Sequence, residues 1–142
     1  MALDPAPSRT ADRPIASRPL SPHLQIWRWT PTMAASIFHR ATGIALYAGT
    51  ILVAVWLFAV AAGPEIYVAT NAFLTSPFGL VILFGYAVAL FFHTLNGLRH
   101  LYWDAGRGLA IETATKTSIA VFAGAALLAI LLFVAIFAGM GG

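Results

Sequence analysis

Ile51-Leu52-Val53-Ala54-Val55-Trp56-Leu57-Phe58-Ala59-Val60 is ten apolar residues in succession, and it lies inside residues 41–64, a stretch without one charged side chain. Two more charge-free stretches follow, residues 66–98 and 117–142. Each exceeds the roughly 20 residues that carry a helix across a hydrocarbon core about 30 Å thick. Only 9% of the 142 residues are charged and 60% are apolar, whereas a water-soluble domain carries about 25% charge. Backbone polar groups in lipid must be paired within the segment, and three spans are too few for a closed barrel. The sequence therefore predicts an all-α integral membrane protein with three transmembrane helices.

The stop and start signals divide the chain. Gly63-Pro64 ends the first span, expected over residues 33–62. Ser76-Pro77 offers a cap followed by proline at the first helical position, so the second span is expected over residues 78–103. The third is expected over residues 117–138, before the glycines at the end. Residues 1–17, rich in Pro, Ala, Ser and Arg, read as a flexible N-terminal tail. Residues 18–32 mix aromatics with cations and read as an interfacial segment, with Trp27 and Trp29 suited to the headgroup layer. His23 there reads as a solvated interfacial residue.

All eight basic residues fall on one side of this layout. Arg9, Arg13, Arg18, Arg28 and Arg40 precede or open the first span. Arg99, Arg107 and Lys116 flank the connection between the second and third. The connection around Glu65 has none. By the positive-inside rule the N-terminus and the second connection are cytoplasmic. The pI near 9.8 thus reflects topology, and no nucleic-acid partner is expected. Residues 1–35 lack the apolar core of a signal peptide. Asp4, Asp12 and the early prolines make a poor amphipathic presequence, so a bacterial inner membrane is expected rather than a mitochondrial one. With no cysteine in the chain, disulfides, thiolate metal sites and iron–sulfur ligation are excluded.

Polar residues inside apolar spans are costly and carry the functional information. His93 sits within Phe91-Phe92-His93-Thr94-Leu95-Asn96-Gly97-Leu98-Arg99-His100. It reads either as an imidazole hydrogen-bonded to a neighbouring helix or as an axial ligand to haem. His100 lies two turns on along the same face, about 10 Å away. Gly97, between them, leaves room for a flat macrocycle or another helix. Ser36, His39 and Arg40 share one side of the opening turns of the first span. Arg40 alone would be an orientation anchor; the three together suit a quinone carbonyl or a haem propionate. Arg99 with Asp104 reads as a snorkelling cation beside a carboxylate, and Tyr102 and Trp103 as members of the aromatic belt. A transporter reading would need polar residues along a whole helix, and the outer halves are nearly bare of them.

Residues 18–24 (RPLSPHL), 36–43 (SIFHRATG) and 93–104 (HTLNGLRHLYWD), in that order and spacing, resemble the cytochrome b subunits of succinate dehydrogenase. The resemblance covers roughly residues 18–140. It implies a haem b- and quinone-binding membrane anchor that works beside a second small membrane anchor, an iron–sulfur subunit and a flavoprotein subunit, passing electrons from succinate to ubiquinone. It implies His93 as a haem iron ligand, with the second axial ligand supplied by the partner anchor. It implies Ser36 and Arg40 at the quinone, and His39, Arg40 and His100 near the haem propionates. The chain has no flavin or iron–sulfur motif and is not expected to oxidise succinate alone. The competing expectation is a structural membrane anchor without haem or redox role.

Overall fold

The computed structural model describes residues 26–140. The expected tail, His23 and most of the interfacial segment lie outside the described residues. From Pro31 on, the described residues form four helices in succession: α1 (Pro31–Ala62), α2 (Pro64–Leu74), α3 (Pro77–Asp104) and α4 (Ile111–Met140). Three of them, α1, α3 and α4, are long and apolar enough to cross a bilayer. The described residues contain no strand.

The caps explain where the spans begin. Thr30 accepts a hydrogen bond from the Met33 amide at 3.3 Å, and Pro31 fills the first helical position. Ser76 does the same for α3, accepting from the Gly79 amide at 3.2 Å ahead of Pro77. Each hydroxyl satisfies an amide that the first turn leaves without a partner. Gly63 separates α1 from α2 with φ +114°, a conformation that a side chain would strain.

Two features differ from the sequence expectation. The segment after Gly63-Pro64 is not a plain connection: Pro64 restarts a helix of 11 residues, with Glu65 in its first turn beside the positive helix end. It is too short to span and returns the chain to α3. In addition, α4 begins at Ile111 rather than Thr117. Its first turns are polar, and an exposed Lys116–Glu112 pair at 2.6 Å lies four residues apart along them.

Small side chains bring the helices together. Ala35, Ala59, Ala125 and Ala129 are almost wholly buried, as expected where packing rather than water exclusion holds helices in lipid. Tyr86 of α3 packs against Gly49 of α1, so closely that a Cβ there would overlap its ring. Large apolar side chains point outward instead, among them Ile44, Tyr47, Ile51 and Phe58 on α1. The surface is the apolar part of this molecule. That is the inverse of a soluble bundle.

Candidate functional site

The start of α1, the end of α3 and the start of α4 meet at one end of the bundle, which also carries Arg28, Arg40, Arg99, Arg107 and Lys116. We refer to it as the basic end. His93 faces α1 there. Its Nδ1 lies 3.2 Å from the His39 carbonyl oxygen and 3.3 Å from Thr42 Oγ1. Thr42 in turn donates its hydroxyl proton to the carbonyls of Phe38 (2.7 Å) and His39 (3.0 Å) one turn earlier. A carbonyl can only accept, so the His93 ring proton resides on Nδ1. The neutral ring then carries its lone pair on Nε2, for which the described residues offer no hydrogen-bond partner. That is the arrangement of a metal-ligating histidine, with one nitrogen held by the protein and the other free.

Two glycines shape the surroundings of the ring. A Cβ on Gly43 would stand 3.2 Å from His93 Cε1, so Gly43 is the floor against which the imidazole rests. At Gly97, one turn beyond His93, an added Cβ would meet nothing within 4 Å. The face between His93 and His100 is therefore open, as its sequence suggested.

His39 stacks on His93 with ring centroids 4.0 Å apart and planes 15° apart, and His100 tilts against it at 5.0 Å. The structure thus gathers His39, His93 and His100 into one group. His39 Nδ1 is buried and has no partner among the described residues. On the adjoining side of α1, Arg40 donates from Nη2 to Ser36 Oγ at 3.1 Å. The serine hydroxyl, accepting that bond, keeps its own proton free to donate. Arg40 is exposed and Ser36 half-buried, so both are reachable from the membrane side. Among the described residues no three His, Cys, Asp or Glu side chains could jointly hold a metal ion.

These features fit a haem contributed to from two sides. One imidazole is oriented with a free Nε2, the adjoining helix face is open, and cationic and orphaned donors stand nearby for carboxylates.

Other residues take positions that sequence reasoning missed. Arg99 does not snorkel: it is buried at 6% exposure. Its Nε donates to Thr117 Oγ1 at 3.0 Å, Nη1 to Asn96 Oδ1 at 3.3 Å and Nη2 to the Ala114 carbonyl at 3.0 Å. The guanidinium also lies 3.9 Å over the Trp103 ring. Trp103 donates from Nε1 to the Gly108 carbonyl at 3.1 Å and packs edge-on to His100. It is a strut between the histidines and the α3–α4 turn rather than a belt residue alone. Asp104 is exposed and forms no ion pair among the described residues. Thr42 and Gly43 follow directly on His39-Arg40-Ala41, but nothing local to them marks their contact with His93 across the helix pair.

Comparison with known proteins places these residues in context. The model of the family described as "Succinate dehydrogenase/Fumarate reductase transmembrane subunit" matches residues 15–132. The chain is 44% identical over 127 residues to the succinate dehydrogenase cytochrome b556 subunit of Paracoccus denitrificans, covering 89% of this chain and 98% of that one. It is 41% identical to the mitochondrial cytochrome b560 subunit of Sus scrofa, covering 75% of this chain and 64% of the pig protein. With the cytochrome b556 subunit of Rickettsia felis the identity is 34%, over 82% and 91% of the two chains.

Proposed function

Because this chain belongs to the transmembrane-subunit family of succinate dehydrogenase and fumarate reductase, as a membrane anchor of complex II, we propose that it binds haem b through His93 and ubiquinone through Ser36 and Arg40. The observation that carries this reading is the His93 ring, pinned at Nδ1 by the His39 carbonyl and Thr42 with Nε2 left free. The relatives' names, cytochrome b556 and b560 subunits, support the haem. His93 Nε2 would hold the haem iron, with a second small membrane anchor completing its ligation. His39, Arg40 and His100 would bind the haem carboxylates, for which cations and imidazole donors are matched partners. Haem bound there supplies a one-electron redox couple at the basic end.

At the quinone, each residue has a separate task. Ser36 donates its hydroxyl proton in a hydrogen bond to one carbonyl oxygen. Arg40 holds Ser36 Oγ and places positive charge where the ring oxygen gains electron density. Exposed positions at the headgroup level leave protons within reach from the aqueous side. In this reading the iron–sulfur and flavoprotein subunits dock at the basic end. That end is cytoplasmic in a bacterial inner membrane, with the N-terminus on the same side, in accord with the placement of the cations.

The test separates binding from assembly. Purified complexes carrying Ser36→Ala or Arg40→Leu are expected to lose quinone reduction while still passing electrons from succinate to an artificial acceptor. A single lost charge-assisted donor corresponds to a rate about 10- to 1000-fold lower. Unchanged quinone reduction in both variants would refute the quinone assignment, whereas equal loss of both activities would report failed assembly instead.

A further inference from the structure

Arg99 carries a full positive charge in a site from which water is largely excluded, and its described partners are all neutral: a hydroxyl, a side-chain amide and a backbone carbonyl. No carboxylate lies within ion-pair distance of it among the described residues. Asp104 and Glu112 near the same turn are exposed and form no ion pair with Arg99, and Arg107 and Lys116 match them in number. Buried charges are ordinarily paired. The guanidinium has five N–H donors, and the three bonds above leave two without a partner.

Beside Arg99 a slot of about 330 Å³ opens between α3 and α4. Arg99, Tyr102 and Thr117 line its upper end, and Leu98, Ala120 and Val121 its lower. The polar groups are at the level where α3 ends and α4 begins. The apolar walls run from there toward the middle of the bundle, and Leu98 and Ala120 are exposed on the outer surface. Charge above and hydrocarbon below, on an exposed outer surface, is the shape of an amphiphile.

We propose that this slot binds one anionic phospholipid, with its phosphate toward Arg99, Thr117 and Tyr102 and an acyl chain along Leu98, Ala120 and Val121. The negative headgroup is the missing counter-charge. Basic pockets between transmembrane helices take anionic headgroups for the same reason. The site is separate from the histidine group and does not depend on the haem or quinone assignments.

The assay is native mass spectrometry of the delipidated, detergent-purified complex titrated with phosphatidylglycerol, phosphatidylcholine or inorganic phosphate. Leu98→Trp and Ala120→Leu fill the slot from opposite walls without touching any hydrogen bond of Arg99. The wild-type complex is expected to retain phosphatidylglycerol at least about fivefold more tightly than phosphatidylcholine. Each variant is expected to lose that preference while remaining assembled and oxidising succinate with an artificial acceptor. Equal retention of the two lipids would overturn the proposal, as would unchanged phosphatidylglycerol binding in both variants. Displacement of the lipid by inorganic phosphate would make free phosphate the ligand and overturn it too. If a carboxylate of a partner subunit balances Arg99, no variant-sensitive lipid is found, and the proposal falls in that case as well.

Discussion

The two ends of the bundle are held together by different chemistry. At the basic end the helices exchange directional bonds: His93 reaches across to α1, and Arg99 reaches across to α4. At the opposite end the described residues make no hydrogen bond between spanning helices. Gly49 receives the Tyr86 ring, Ala59 and Ala129 are buried, and Phe84 meets Phe133 edge to face at 5.1 Å. That half also contains an apolar cavity of about 370 Å³ bordered by Tyr86, Ala87 and Phe133. In lipid, apolar surface gains little by leaving its neighbours, so shape alone holds the outer half. The polar end is where geometry is specified, and it is where the candidate site stands.

Mutations at the two ends should therefore differ in size and kind. The largest loss of stability is expected for Arg99→Leu, which removes three hydrogen bonds and a stacked ring at once. A cost of about 2 kcal/mol or more should appear in thermal or denaturant unfolding of the detergent-solubilised complex. Arg99→Lys should not restore it, because an ammonium lacks the planar fork. If Arg99→Leu proves silent, the contrast between the ends collapses. Next is Thr42→Val, which keeps the shape and deletes one acceptor of the His93 proton. Haem affinity is expected to fall about 10-fold, and Thr42→Ser to recover it. At the outer end, Gly49→Val should cost about 1–3 kcal/mol through overlap with Tyr86. Combining it with Tyr86→Ala should recover part of that loss, the mark of direct contact in a double-mutant cycle. Smallest of all is Leu131→Ala on the exposed side of α4, expected to stay within about 0.5 kcal/mol. A loss well above that would show that a partner, not lipid, covers this face.

The same contrast decides what could be read from the chain in advance. The spans were legible because charge-free runs and stop and start signals are local: Gly63-Pro64 and Ser76-Pro77 each act within one turn. His93 was legible because an imidazole in an apolar run is conspicuous. The burial of Arg99 was not, since its partners Ala114 and Thr117 lie across the turn between α3 and α4 and meet it only after the helices pack. Asn96 bonds Arg99 within the same helix, but its complete burial likewise follows only from the packing of the helices. The helix over Pro64–Leu74 escaped notice because one glycine–proline pair both stops α1 and starts α2. The early start of α4 was hidden by Glu112 and Lys116, which look like loop charges but pair along one exposed helix face. Thr42 and Gly43 required knowing that α1 packs on α3 at His93, which no local rule supplies.

The central claim is that His93 ligates haem within this anchor, and the direct test is the dithionite-reduced minus oxidised spectrum of the purified complex carrying His93→Ala. With assembly verified by subunit content, the account predicts that the b-type band present in the wild-type complex is lost. A band of unchanged intensity in the assembled variant would contradict it.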